Sequence, residues 1–216
     1  MVERLRQLIP HEEFDYLTLV EGLKAYARPR DKITALLRAA AIVRVKKGLY
    51  VFGPSYRREA YSRELLANWI YGPSYLSLEY ALSRYGMIPE RVETITSVTC
   101  AKNRTFQTPA GRFTYWSVPI RAYWIGIDRI ELAGNRGFLM ATREKALADK
   151  LCQDRDTDVR SLKRLEAFLL DDLRIDPDTL GQLNPAATAT IAEHRGSRRV
   201  ALLASYLQKS RSRTSE

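Results

Sequence analysis

The sequence predicts an α+β protein in two parts: an N-terminal three-helix unit closed by a basic hairpin, then a mixed α/β domain with a small, mainly antiparallel sheet and C-terminal helices. Three observations carry this. Charge is concentrated, because residues 24–58 hold ten Lys or Arg against the single acid Asp31, and ten minus one is +9 of a chain total of +10. Apolar positions recur at helical spacing up to residue 40 and turn into strand-like runs after it. A stretch rich in Gly, Pro, Ser and charge, "GPSYRREAYSR" (53–63), then marks a linker, which places the boundary between 1–57 and 58–216.

With 216 residues, 45% hydrophobic and 10% aromatic, the chain has the composition of a folded protein, and folding should bury roughly 70% of its unfolded surface. No apolar run approaches the roughly 20 residues that span a bilayer, so no membrane partner is expected. "MVERLRQLIPHEEF" at the start lacks the apolar segment of a secretory signal, so a cytoplasmic location is expected. Cys100 and Cys152 stand apart from each other and from both histidines, and a reducing compartment would keep them as thiols. A basic balance of this kind points to a polyanionic partner.

Taken in order, Val2, Leu5, Leu8 and Ile9 predict a short helix stopped at Pro10. Asp15 is placed to cap a second helix with Leu17, Val20 and Leu23 on one face. Pro29 suits the first turn of a third, whose apolar stripe is Ile33, Leu36, Leu37 and Ala40 and whose other face carries Asp31, Thr34, Ala35 and Arg38, with Lys32 on the flank. Ile42, Val43 and Val45 lead through Lys46, Lys47 and Gly48 into "LYVF", a strand, a tight turn and a strand.

Three short helices followed by a basic hairpin is the layout of a winged helix-turn-helix, in which the third helix enters the major groove of DNA and the wing meets the backbone or minor groove. Lys46 and Lys47 at the hairpin tip are then expected to reach phosphates, while Thr34 and Arg38 face away from the core. The competing reading is an ordinary solvated basic surface.

In the second part, Ser62 is placed to cap a helix carrying Leu65, Leu66, Trp69 and Ile70, ended by Gly72 and Pro73. Ser77 is placed to cap another, with Leu78, Ala81, Leu82 and Tyr85, closed by Gly86. The runs "VETITSVT", "RTFQT", "RFTYWSV", "AYWIGI", "RIEL" and "GFLMA" predict strands, with turns at 109–111 and 134–137. Thr142 caps a helix through Leu147 and Leu151, "SLKRLEAFLLDDL" and "SRRVALLASYL" are helical by period, and the tail "SRSRTSE" is expected to be disordered.

Catalytic signatures are searched for without success. His11 and His194 have no sequence partner, no zinc spacing occurs, and no cofactor or metal is expected. "DRDTDVRSLKRLE" from Asp154 starts like a calcium loop but has Val159 at the Gly position and Leu165 at the bidentate Glu position. "GNRG" (134–137) reads as a hairpin turn. Glu144, Lys145, Asp149 and Lys150 read as a helix's first-turn acid and a 145-to-149 ion pair. Of Tyr115, Trp116, Tyr123 and Trp124, outward-facing members are candidates for a partner interface.

Together, "PRDKI" (29–33), "IVRVKKGLYVFG" (42–53), "YGPSYLSLEYALSRYGMIPE" (71–90), "ITSVT" (95–99), "ATREKALADKL" (141–151) and "DDLRID" (171–176) make the chain resemble the AbiEi-type antitoxins and regulators of abortive-infection toxin-antitoxin systems. The resemblance implies an N-terminal winged helix that binds repeats of double-stranded DNA in the operon's own promoter. It also implies a C-terminal domain that counteracts a cognate nucleotidyltransferase toxin, and neither role is enzymatic. On the positions matching the family's reading unit it assigns DNA binding to Arg30, Lys32, Arg38, Arg44, Lys46 and Lys47, with Thr34 added from helix geometry. Two positions depart from the pattern: Ala40 stands where a glycine commonly ends the third helix, and Arg143 replaces the proline of "ASPEKAL". The alternative is an interaction module that neutralises a toxin or shields RNA through its C-terminal domain, with DNA binding secondary.

Overall fold

The structure is a computed structural model and describes residues 1–154 and 158–214. It is a mixed α/β architecture, with eleven α-helices and two sheets among the described residues. The chain begins with α1 (Val2–Leu8), β1 (Glu13–Asp15), α2 (Tyr16–Gly22), α3 (Pro29–Arg38), β2 (Ile42–Lys46) and β3 (Leu49–Phe52). The Asp15 carboxylate accepts from the Thr18 amide at 2.8 Å and caps α2, a contact worth about 1 kcal/mol. Leu19 and Leu23 are the buried residues of that region, and Leu17 points outward.

The end of α3 resolves the departure at Ala40. Ala40 takes the left-handed conformation, φ 50°. Its amide donates to Leu37 (3.1 Å) and the Ala41 amide to Leu36 (2.9 Å), the bond pair with which a helix closes on a left-handed residue. Gly53 lies against this corner, since a Cβ there would sit 1.8 Å from the Ala40 carbonyl oxygen.

The hairpin is part of a three-stranded antiparallel sheet, order β1-β3-β2, because the three-residue β1 pairs with β3 (Glu13 with Val51). A bulge between Arg44 and Lys46 shifts the β2 register. All four residues of β3 are buried. Tyr50 and Phe52 enter a small core with Phe14, Leu19, Ile33 and Leu36, while Leu49 and Val51 join the large core of the rest of the chain. Such two-sided burial is why "LYVF" shows no polar alternation.

The second part runs α4 (Arg63–Ile70), β4 (Ser74–Leu76), α5 (Leu78–Arg84), β5 (Ile95–Thr99), β6 (Arg104–Thr108), β7 (Gly111–Ser117), α6 (Ile120–Tyr123), β8 (Ile127–Leu132), β9 (Arg136–Ala141) and α7 (Arg143–Gln153). It ends with α8 (Leu162–Ala167), which continues as a π-turn over Phe168–Asp172, α9 (Pro177–Gly181), α10 (Pro185–Arg195) and α11 (Arg198–Thr214). Its sheet has the order β6-β7-β5-β4-β9-β8. The outer pairs and β4/β5 are antiparallel, whereas β5/β7 and β4/β9 are parallel, so the sheet is more mixed than its sequence suggests.

Four local expectations need correction. "AYWIGI" is not a strand: Pro119 opens the short helix α6, and the strand resumes only at Ile127. β4, inside the sheet, is three residues long and buried throughout. Trp69 is exposed, although the rest of the α4 stripe is buried. The expected disordered tail is helical through Thr214; residues 215–216, like 155–157 of the calcium-loop-like stretch, lie outside the described residues. Among the described residues, no helix is long and apolar enough to cross a membrane.

Candidate nucleic-acid interface

Burying Ile33 and Leu36 fixes how α3 is rotated, and helical spacing then lines up Arg30, Thr34 and Arg38 on the outward face. All three are exposed. The Thr34 hydroxyl donates to the Arg30 carbonyl at 3.1 Å, which leaves its lone pairs turned outward. Lys32 is half-buried, its ammonium 5.2 Å from the centre of the Tyr26 ring. Arg44 is exposed on β2, its guanidinium 5.8 Å from the Tyr50 ring, and Lys47 is exposed at the turn next to Gly48, whose φ of 85° the tight turn requires. A shallow cavity of about 590 Å³ at the start of α3 is bordered by Arg28, Arg30 and Asp31.

Lys46 differs from its neighbour. Its ammonium donates to the Ile70 carbonyl at the end of α4 (2.5 Å) and lies 4.8 Å from the centre of the Phe106 ring on β6. The bulge at Arg44/Lys46 accompanies this turn of the side chain toward the second part of the chain, away from the exposed hairpin tip. Of the seven residues assigned to DNA, the structure thus leaves Arg30, Thr34, Arg38, Arg44 and Lys47 exposed, Lys32 half-buried and Lys46 engaged.

The same unit is tied to the rest at a second place. Glu12 and Glu13 are buried. Glu12 pairs with Arg6 at 2.7 Å and accepts from the backbone amides of Arg58 (3.0 Å) and Glu59 (3.3 Å). Glu13 accepts from the Ser62 amide and pairs with Arg136 at 2.5 Å. Two adjacent acids therefore pin the middle and the C-terminal end of the linker. Arg6 apart, their partners lie 46 to 123 residues away, so the sequence carries no local sign of them.

A second polar cluster was not foreseen. Lys145 and Asp149, which the sequence suggests as a helix ion pair, are almost wholly buried. Asp149 Oδ1 accepts from Arg195 Nη1 (2.5 Å) and faces Lys145 Nζ (3.5 Å). Oδ2 accepts from the Tyr75 hydroxyl (2.9 Å) and the Ser77 hydroxyl (2.8 Å). Lys145 also donates to the Ala122 carbonyl at 2.5 Å. Burial pushes the Lys145 ammonium down from its ordinary range; burial, then the Asp149 charge, pushes the Tyr75 phenol well up. Ser77 stands at the α5 N-cap position but makes no capping bond, and Leu78 beside it adopts φ 59°, uncommon for a branched side chain.

Each histidine is the sequence neighbour of a member of one cluster, Glu12 or Arg195. His11 packs against Gly134, and His194 Nδ1 lies 2.9 Å from the Thr190 carbonyl near the end of α10. Cys100 and Cys152 are half-buried free thiols. No group of three or more metal-ligating side chains occurs among the described residues. No family model matches this chain, and no curated protein matches it.

Proposed function

We propose that this chain is a cytoplasmic DNA-binding autorepressor that serves as the antitoxin of an AbiE-type toxin-antitoxin system, with α1 to β3 as a winged helix-turn-helix. The observation that carries this is the outward stripe Arg30, Thr34 and Arg38 on α3, next to exposed Arg44 and Lys47 on the hairpin, within the stretch 24–58 whose ten Lys or Arg face the single acid Asp31. α3 reads base edges in the major groove, Arg38 and Thr34 supply hydrogen bonds to them, and Arg30, Lys32, Arg44 and Lys47 hold phosphates. The second part, from residue 58, counteracts the cognate nucleotidyltransferase toxin. A role without catalysis is supported at the Asp149 cluster, where three hydrogen bonds and the Lys145 ammonium already engage both oxygens of the carboxylate.

The test is a mobility-shift titration against duplex DNA from upstream of the chain's own gene and a scrambled duplex, at two salt concentrations. These four phosphate contacts give a log–log salt slope of about −3 to −4, with a preference for the upstream duplex of at least about a hundredfold. Equal or absent binding of the two duplexes would sink the assignment.

A second reading, in which the chain is chiefly an interaction module, is favoured by Ile120 and Trp124. They are four residues apart at α6 and 58% and 65% exposed, an apolar pair of the kind that anchors protein interfaces. Loss of antitoxicity in Trp124→Ala with promoter binding intact would place neutralisation there.

A further inference from the structure

We propose that the exposed face of β6 and β7, at one edge of the large sheet, binds single-stranded RNA, at a site separate from the α3 surface and independent of what α3 binds. Its first support is charge. Between Glu93 and Asp128 there is no acidic residue, while Lys102, Arg104, Arg112 and Arg121 fall within that run. It forms β5, β6, β7 and α6.

The register decides which side chains share the face. Strand alternation sends Phe113 and Tyr115 of β7 into the core and Arg112, Thr114 and Trp116 to the opposite side. Arg112 lies opposite Gln107, and Thr114 lies between Thr105 of β6 and Thr96 of β5. The result is an arginine, hydroxyl and amide groups, and a tryptophan that is 39% exposed, side by side on one flat surface.

Space and free charge point the same way. Three cavities, of about 280, 660 and 750 Å³, each include Trp116 in their walls, so the indole stands where they meet. Lys102, Arg104 and Arg112 have no carboxylate partner among the described residues. The acids across the 660 Å³ cavity are mostly neutralised: Glu79 pairs with Lys150 (2.7 Å), Glu93 with Arg91 (2.9 Å) and Glu90 with Arg174, and Asp172 at the far rim is the exception.

An exposed indole flanked by unpaired cations suits a strand whose bases are free to stack and whose phosphates need countercharge. A duplex hides its base faces and does not fit. The hydroxyl and amide groups of Thr105, Thr114 and Gln107 give partners to a ribose 2′-hydroxyl, which selects RNA over single-stranded DNA. Trp116 is a contact residue, and Arg112 is its neutralising neighbour.

The experiment is fluorescence anisotropy of the full chain with a labelled, unstructured 12-nucleotide RNA, the same sequence as single-stranded DNA, and the upstream duplex. RNA should bind in a salt-sensitive way and more tightly than the single-stranded DNA. Trp116→Ala should weaken RNA binding about 5- to 150-fold, the range for one lost base stack. Trp116→Phe should keep most of it, and Arg112→Ala should flatten the log–log salt slope by about 0.7. All three variants should bind the upstream duplex as wild type does. Absence of RNA binding would overturn the proposal and return this face to a protein partner. So would equal affinity for the single-stranded DNA, wild-type affinity in Trp116→Ala, or loss of RNA binding in Arg38→Ala. Failure of duplex binding in the wild type with RNA binding intact would sink the repressor reading alone.

Discussion

The Ser77 hydroxyl donates to the Asp149 carboxylate at 2.8 Å, joining the start of α5 to the middle of α7 across 72 residues of sequence. The helix thereby loses the side-chain cap that a serine at its N-cap position usually supplies. In exchange, the carboxylate gains the last of four donors around a buried negative charge whose cationic neighbours, Lys145 and Arg195, come from two different helices.

Asp149→Ala should cost about 3–5 kcal/mol, because it leaves Lys145 buried without an anion. Ser77→Ala should cost about 1.5–3 kcal/mol, the loss of one hydrogen bond to a charged group. Urea titrations of both variants would show whether the ranking holds; a cost below about 1 kcal/mol for Asp149→Ala would mean that the cluster does not hold the second part together.

Ala40→Gly should stabilise the chain by roughly 0.5–1 kcal/mol, since φ 50° is disfavoured for alanine and open to glycine. A higher melting temperature with unchanged DNA affinity is the expected result.

The two hairpin lysines should behave differently. Lys47→Ala should flatten the salt slope of duplex binding by about 0.9, one phosphate contact, at unchanged melting temperature. Lys46→Ala should lower the melting temperature and leave the slope nearly alone, because its ammonium is held by Ile70 and Phe106. Side-by-side titrations and thermal melts would separate them, and identical behaviour would contradict the geometry.

Acid stability should depend on Glu64. Burial pushes its carboxyl up, but hydrogen bonds from Tyr80, its own amide and Ser62, with the Arg84 charge, more than offset this and hold it below the ordinary carboxylate range. A carboxyl depressed in the folded state binds fewer protons there than in the unfolded chain. Its contribution is therefore present above the unfolded pKa of about 4.5 and is lost as pH falls through the lower folded value. Glu64→Gln should be less stable than wild type at neutral pH, and the gap should narrow on acidification.

α3 was legible because what makes it is local, Pro29 at its first turn and an apolar stripe, whereas the left-handed corner at Ala40 was not, since an alanine does not announce that conformation. Caps at Asp15, Ser62 and Thr142 were legible for the same reason, each reaching an amide three residues on. β4 was not, since three residues between Pro73 and Ser77 are too few to show a period. The spacing of Lys145 and Asp149 is the same on an exposed helix as on a buried one. What buries them is Tyr75, Ser77 and Arg195, and nothing near 145–149 announces those partners. The direction of Lys46 depends on one bulge and on a carbonyl 24 residues away.

Because β3 has one face in each core, it has no side that tolerates a polar substitution, and the halves of this protein cannot be parted cleanly. A fragment cut after Glu59 would bare Leu49 and Val51, with Val45 beside them, as a sticky apolar strip. A protease that nicks the linker should thus leave two pieces that stay together until denaturant is added, and the N-terminal fragment made alone should clump unless those three positions are made hydrophilic.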